Sequence, residues 1–201
     1  MEYTLGYSLR PGRSADARSV RKIFLAALAE HGFARSEANV NAEIPTFGLG
    51  DPKRVDLVVA YGGRVVGFAI VLPMAARTGE LAKLFVAPSH RVRGVATMLL
   101  NAAINSARAR GYGTLFLETR IEFERALRFY ESRGWVSDPV TAGSPLRTYQ
   151  LELVDAWSRS LAAAPVAAHS SFWTAVLPTL LDFLRRATQV EERLSRKIKT
   201  L

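Results

Sequence analysis

The sequence of 201 residues contains no cysteine. Without thiols, disulfide bonds, thiolate nucleophiles and cysteine-ligated zinc sites are all excluded. Histidine is scarce, and His31, His90 and His169 are not spaced as metal ligands usually are, so we predict no metal site. The lack of cysteine fits a cytoplasmic protein, and we predict that location.

Long apolar runs are also missing. No stretch approaches the ~20 apolar residues that a membrane-spanning helix needs. Residues 1–5 contain neither the basic run nor the apolar segment of a signal peptide. We therefore expect no transmembrane segment and no secretory leader.

Acidic residues are outnumbered by basic ones. There are 27 Lys and Arg residues against 18 Asp and Glu residues, giving a formal net charge of +9. Such a surplus favours anionic partners: phosphorylated cofactors, nucleic acid or acidic membrane surfaces. Solubility is an equally good interpretation of most of these charges.

Hydrophobic periodicity and turn residues predict an α/β fold in which a mixed sheet carries helices on both faces. Two β-rich runs flank Gly62 and Gly63, which supply the positive φ angles of a tight hairpin turn. Ser14 or Asp16 is the expected N-cap of the first helix. The predicted strands cover residues 3–9, 55–61, 64–72, 80–86, 114–119 and 147–153, and the helices cover 17–31, 94–110 and 122–133. A further strand is expected near Trp135, and the domain is expected to end near residue 154.

The most informative segment covers residues 84–100, where a strand ends, a turn with Arg91 and Arg93 follows, and a helix begins after Gly94. The first amides of a helix have no intrahelical acceptor and carry partial positive charge. A diphosphate placed there accepts several N–H bonds at once. Gly94 and Ala96 leave room for the phosphates to approach the backbone, and the Thr97 hydroxyl is a further donor. We refer to residues 91–96 as the phosphate turn.

This segment resembles the GNAT superfamily of N-acetyltransferases, whose signature Gln/Arg-x-x-Gly-x-Gly/Ala is matched by residues 91–96. The hydrophobic-x-Val-x-Pro strand end of that family is matched by residues 84–88. Downstream, Leu117, Ala126, Tyr130 and the pair Gly134-Trp135 follow in the family's order and spacing. Phe123 stands where the family usually has asparagine, which is a departure at one cofactor contact.

The resemblance covers residues 3–154 and implies an acetyl-CoA-dependent N-acetyltransferase acting on a primary amine of a small molecule or peptide. The cofactor site that it implies consists of Leu84, Phe85, Val86, Arg91, Val92, Arg93, Gly94, Val95, Ala96, Thr97, Phe123, Ala126 and Tyr130. Competing motifs are absent: the chain has no P-loop, no Rossmann glycine triplet and no hydrolase nucleophile elbow.

The resemblance also implies direct acetyl transfer, which needs a general base for the ammonium and an acid for the leaving thiolate. Tyr130 is the candidate acid, with a packed core tyrosine as the alternative. Glu80 is the candidate base and Glu118 the second, although either is equally interpreted as an ordinary strand glutamate. A backbone N–H near Phe85 or Val86 is the expected donor to the thioester oxygen. Simple alternation places Glu80 on one strand face with Leu84 and Val86, unless a bulge reverses it.

The acceptor is expected to contact the first helices and residues 34–53, where Glu37, Glu43 and Asp51 either attract an amine or are simply solvated. Residues 155–201 form a predicted linker and an amphipathic helix, for which an arm in a homodimer is the favoured role. A membrane-surface helix and a partner-binding helix are the alternatives. The alternative function is a non-catalytic acetyl-CoA-sensing module acting through that helix. RNA binding is disfavoured because aromatic and basic residues do not interleave.

Overall fold

A computed structural model describes residues 6–32, 44–75, 77–139 and 144–153. Its strands are β1 (Tyr7–Pro11), β2 (Val55–Tyr61), β3 (Arg64–Pro73), β4 (Thr78–Val86), β5 (Thr114–Arg120), β6 (Val136–Ser137) and β7 (Leu146–Glu152). Its helices are α1 (Ala17–Glu30), α2 (Val95–Ala109) and α3 (Glu124–Glu131). The predicted element order and the short strand after Trp135 are confirmed, with boundaries shifted by up to four residues.

The seven strands form one sheet in the order β1-β2-β3-β4-β5-β7-β6. All pairs are antiparallel except β4 and β5, which are parallel. The predicted hairpin joins β2 and β3, and its two glycines have φ angles of 55° and 75°, as a two-residue hairpin turn requires. The mixed α/β fold with helices on both faces is thus confirmed.

Each face of the sheet has its own apolar core, because strand side chains alternate between the faces. On one face α1 packs through Val20 and Phe24 against Phe68 and Ile70 of β3. On the other face α2 and α3 cover a second core. Its members include Val71, Leu81, Leu99, Leu115, Leu117, Tyr130, Trp135 and Tyr149. We refer to these two surfaces as the α1 face and the α2/α3 face.

The segment before β2 is attached to the α1 face by a buried ion pair. Arg54 Nε donates to Asp56 Oδ1 at 2.7 Å, and both side chains are less than 10% exposed. The second oxygen of Asp56 accepts the Gly48 N–H at 2.7 Å, and an Arg54 terminal nitrogen donates to the Thr46 hydroxyl at 2.6 Å. Shared hydrogen bonds of this kind offset the cost of burying both charges.

Asp16 is the N-cap residue of α1, as predicted, but its carboxylate makes no capping hydrogen bond to that helix. Instead it accepts two bonds from Arg10, at 2.6 and 2.8 Å, and one from the Arg13 N–H at 2.9 Å. The Arg10 guanidinium lowers the pKa of the Asp16 carboxyl. Asp16 therefore joins β1 to the start of α1.

The predicted linker and helix at 155–201 lie outside the described residues, as does the first part of the predicted acceptor segment 34–53, residues 34–43 with Glu37 and Glu43. Each helix in the described part of the chain is too short or too polar to span a bilayer.

Candidate active site

The parallel strands β4 and β5 separate part-way along their length. Their pairing joins Thr78 to Thr114 and ends where Glu80 pairs with Phe116. Beyond that pair β4 continues to Val86 and β5 to Arg120, without further ladder pairs between these two described strands. The separation opens a wedge, which we call the β4–β5 cleft, between residues 83–86 and 117–120. Backbone groups on the cleft side of β4 are left for a ligand to pair with.

A β-bulge in β4 determines which side chains face the two entrances to this cleft. Ile70 of β3 pairs with Lys83, and the next residue, Val71, pairs with Leu81, so Ala82 is the extra residue. A bulge reverses the alternation of side chains on either side of it. Glu80, opposite Leu72, therefore lies on the α1 face.

Glu80 shares that face with Lys83 and Phe85, while Leu84 and Val86 pack on the α2/α3 face. The Lys83 Nζ, 5.7 Å from the centre of the Phe24 ring on α1, agrees with this assignment. Simple alternation, which grouped Glu80 with Leu84 and Val86, is wrong because the bulge intervenes.

Val86 directs its backbone polar groups into the cleft. The N–H of the next residue, Ala87, donates to the Val66 carbonyl of β3 at 2.8 Å. Successive strand residues direct their backbone groups to opposite sides, so Val86 points its N–H and C=O away from β3. Its carbonyl accepts a bond from Arg91 Nε at 3.0 Å. Of the two predicted oxyanion donors, Phe85 and Val86, only Val86 thus directs its N–H toward β5.

The phosphate turn has an unusual backbone. Val92 adopts a φ of 57° although it is β-branched, and its side chain is 99% exposed. Gly94 follows with a φ of 80° and forms the N-cap of α2. Left-handed backbone at a β-branched residue is strained, and such strain concentrates at functional sites. The turn leads directly into α2, so the free amides of that helix lie beside it.

The two arginines of the phosphate turn differ in their partners. Arg91 pairs with Glu30 at the end of α1, with its Nη1 2.8 Å from Glu30 Oε2. Arg93 is exposed and makes no hydrogen bond or ion pair within the described part of the chain. Since Glu30 compensates the charge of Arg91, Arg93 provides the turn's free positive charge.

Tyr130 lies on the α2/α3 face and is only 7% exposed. Its ring centre is 5.6 Å from that of Trp135 and 6.4 Å from that of Tyr149. Its hydroxyl forms no hydrogen bond within the described residues, and burial raises the pKa of the Tyr130 phenol well above its ordinary value. Ala126, one helical turn earlier, packs against the same core.

The second candidate base, Glu118, lies on the α1 face of β5 because its neighbour Leu117 packs on the other face. It is two residues beyond Phe116, the pairing partner of Glu80, and therefore at the β5 edge of the cleft. Its side chain is exposed, but the protein around it removes enough water to raise the pKa of the Glu118 carboxyl. Both candidate bases thus face the α1 side of the cleft, whereas Tyr130 is on the opposite face.

Comparisons with known proteins identify the family of this chain. A profile of the Acetyltransferase (GNAT) family matches residues 19–135, more than half of the chain. The chain belongs to the GNAT family. An uncharacterised N-acetyltransferase of Mycobacterium tuberculosis H37Rv is 30% identical over 106 residues, covering 53% of this chain and 68% of that protein. The uncharacterised N-acetyltransferase YjgM of Escherichia coli K12 is 28% identical over 110 residues, covering 53% and 65%.

Solved GNAT structures share the fold. An acetyltransferase of Staphylococcus aureus Mu50 superposes with a TM-score of 0.65 at 14% identity, covering 74% of this chain and 99% of that one. The YncA protein of Salmonella typhimurium, solved with its cofactor acetyl-CoA, superposes with a TM-score of 0.59 at 20% identity, covering 81% and 99%. These likenesses show the GNAT fold.

Phe123, the departure from the usual GNAT asparagine, is the N-cap residue of α3. Its ring centre lies 4.4 Å from that of His31, just after α1, in an edge-to-face arrangement. Together with the Glu30–Arg91 pair, this contact attaches the end of α1 to both the phosphate turn and the start of α3. An aromatic contact thus replaces a polar group at this position.

Two residues near the phosphate turn escaped the sequence prediction. Glu30 is the single acidic residue of α1 and is exposed, and only the structure places it beside Arg91. Arg133 donates to the Thr97 hydroxyl at 2.8 Å and stacks on the Phe129 ring, 3.9 Å from its centre. This bridge ties the end of α3 to the first turn of α2. It also leaves the hydroxyl proton of Thr97 free to donate. Their charges were visible in the sequence, but Thr97 lies 36 residues from Arg133, and Arg91 lies 61 residues from Glu30.

Proposed function

We propose that this protein is an acetyl-CoA-dependent N-acetyltransferase, moving the acetyl group directly to a primary amine of a small molecule or peptide. The observation that carries the proposal is the β4–β5 cleft with the phosphate turn at its open end. The cleft presents the Val86 N–H, and the turn presents the amides of α2. A diphosphate on the turn and an extended chain along β4 would satisfy both sets of donors.

Each protein group then has a distinct task. Acetyl-CoA supplies an acetyl group activated as a thioester. The Val86 N–H donates to the thioester oxygen, where negative charge develops. The Tyr130 phenol is protonated at neutral pH, as an ordinary tyrosine is, and burial raises the pKa of Tyr130 further, so its proton is available to the leaving sulfur.

The two faces of the sheet separate the acceptor from the proton donor. Glu80 and Glu118 lie on the α1 face and Tyr130 on the other, so the acceptor amine is expected to enter from the α1 side. In this proposal one of these carboxylates takes the ammonium proton, directly or through water. The raised pKa of Glu118 brings it closer to the pH at which a general base works best.

The primary test measures coenzyme A release from acetyl-CoA across a panel of amines, together with acetyl-CoA binding by calorimetry. Gly94→Val is expected to abolish binding, because it adds a branched side chain at the front of α2. Gly111→Val is the matched control: Gly111 has the same φ of 80° and space for a Cβ, but lies at the far end of α2. Equal binding losses in both variants would contradict the phosphate turn as the site. Binding without turnover of any amine would favour the sensing module.

A second test separates the candidate bases. Glu80→Gln and Glu118→Gln are made singly and together, and the pH dependence of kcat/KM is recorded. The variant that removes the base should lose the ascending limb of the profile. If neither single nor double substitution moves that limb, water alone accepts the proton.

The role of residues 155–201 also belongs to this proposal, as an arm that holds two copies together. Deleting residues 156–201 and measuring solution mass tests it. An unchanged oligomeric state would refute the proposed role of this segment as a dimer arm.

A further inference from the structure

A second concave site lies at the end of the sheet opposite the phosphate turn. It is a cleft of about 360 Å³ beside Thr78, the first residue of β4, whereas the phosphate turn follows Val86, the last. We call it the basic cleft. Its lining includes the cations Lys53, Arg77 and Arg110 and the apolar side chains Pro52, Pro73 and Met74.

Hydrogen bonds hold the walls of the basic cleft together. Tyr112 follows α2, and its hydroxyl donates to the Lys53 carbonyl at 2.8 Å. Arg110 Nε donates to the Pro52 carbonyl at 3.1 Å. Two bonds thus fix the 52–53 wall against the end of α2. A cleft with walls fixed in advance needs less ordering when a ligand binds.

The same contacts orient the two guanidinium groups. Arg77 Nε donates to the Gly111 carbonyl at 3.1 Å, and Arg110 Nη1 donates to the Ser106 carbonyl at 3.1 Å. Both terminal nitrogens of Arg77 and Nη2 of Arg110 make no hydrogen bond to any described residue. These donors are charged, and their guanidinium planes are held in place by backbone carbonyls.

The residues that line the basic cleft do not neutralise its positive charges. No carboxylate lines it, and Lys53, Arg77 and Arg110 form no ion pair within the described ranges. Asp51, just outside, accepts the backbone N–H of Lys53 at 2.8 Å and offsets one of the three positive charges. Arg10, elsewhere in the fold, is compensated in contrast, because both of its terminal nitrogens donate to the Asp16 carboxylate. Three cations from three separate segments fit an anion with more than one negative charge.

We propose that the basic cleft binds a small phosphorylated molecule. Its phosphate dianion is held by Arg77 and Arg110 with Lys53 beside them, and its carbon part lies against Pro73 and Met74. Arginine forks match the geometry of phosphate oxygens and bind them through charge-assisted hydrogen bonds. Met74, 45% exposed, offers an adaptable apolar surface for the rest of the ligand. This site is independent of the acetyl-transfer site and of whether acetyl transfer occurs.

The test titrates the full-length protein with phenyl phosphate, inorganic phosphate and benzoate by calorimetry. Phenyl phosphate should bind most tightly, inorganic phosphate more weakly, and benzoate at least about tenfold more weakly than phenyl phosphate. Benzoate binding as well as phenyl phosphate would overturn the preference for phosphate. Absence of saturable phosphate binding would overturn the site itself.

Variants locate any binding that is seen. Arg77→Gln with Arg110→Gln should weaken phenyl phosphate binding by about tenfold or more. These arginines also donate to backbone carbonyls, so their substitution could disturb the fold as well as the site. Lys53→Glu is therefore a second variant, because the Lys53 side chain makes no hydrogen bond within the described residues. It should weaken phenyl phosphate binding at least as much as the double arginine variant. Arg18→Ala with Lys22→Ala, two exposed cations of α1, is the charge-matched control and should bind normally. Equal binding by the cleft variants and wild type would place the phosphate elsewhere and refute the proposal.

Discussion

Replacing Tyr130 with Phe separates a catalytic hydroxyl from a structural one. The Tyr130 ring packs between Trp135 and Tyr149, and the substitution keeps those contacts. The hydroxyl has no hydrogen-bond partner among the described residues, so its loss should change the free energy of unfolding by less than about 1 kcal/mol. If Tyr130 protonates the leaving sulfur, kcat should fall by about 10²- to 10⁴-fold. That fall corresponds to roughly 3–5 kcal/mol of activation free energy.

Tyr149 is the matched control, since it is buried in the same aromatic cluster. Its hydroxyl donates to Glu131 Oε1 at 2.7 Å. Tyr149→Phe removes that bond and should lower the free energy of unfolding by about 1.5 kcal/mol, the low end for a charged partner because Glu131 is exposed. Since Tyr149 has no proposed role in the chemistry, kcat should stay within about twofold of wild type.

The assay follows coenzyme A release at saturating acetyl-CoA and acceptor, with urea denaturation of each variant beside it. The two variants are expected to give opposite patterns: Tyr130→Phe stable and slow, Tyr149→Phe less stable and active. Because burial raises the pKa of Tyr130, the wild-type kcat should not fall near the ordinary tyrosine pKa of about 10. Wild-type turnover by Tyr130→Phe across the pH range would refute the acid role. Equal slowing by both substitutions would refute its assignment to the Tyr130 hydroxyl.

Four further substitutions at three positions test the phosphate turn and the fold. Glu30→Gln should tighten acetyl-CoA binding by about two- to fivefold at low salt, because it removes the carboxylate that competes for Arg91; calorimetry showing unchanged affinity would contradict this. Val92→Gly should leave affinity and melting temperature nearly unchanged, since relief of about 1–2 kcal/mol of left-handed strain is offset by glycine's greater chain entropy. Val92→Pro, with φ fixed near about −65°, should abolish binding. Asp56→Ala should cost about 3–5 kcal/mol in urea denaturation, because the Arg54 charge stays buried; a cost under about 1 kcal/mol would contradict this.

The sequence predicted features that depend on neighbouring residues. The hairpin at Gly62-Gly63 and the strand–turn–helix around Gly94 are both local, since turn residues and periodicity suffice to specify them. Element order followed from these local signals, and the GNAT motif then identified the fold. Strand and helix ends were less accurate because terminal residues depend on their packing partners.

Features that depend on distant partners were not predicted. The charge of Arg91 was evident, but its partner Glu30 is 61 residues earlier in the chain. Asp16 is the N-cap residue that the sequence predicted, but its carboxylate accepts hydrogen bonds from Arg10 on β1 instead of from the free amides of α1. In both cases residue type predicted an interaction, and the tertiary fold selected the partner.

The bulge at Ala82 is the feature on which the proposed two-sided chemistry depends. Residues 80–86 read as an ordinary strand, and only the register against β3 shows where the extra residue falls. Without the bulge, Glu80 would lie on the α2/α3 face, among the apolar residues that now surround Leu81. Burying a carboxylate there without a partner would cost several kcal/mol. With the bulge, Glu80 faces the α1 side while Val86 still directs its N–H into the cleft. One inserted residue thereby lets a single strand place a candidate base on one face and pack against the core of Tyr130 on the other.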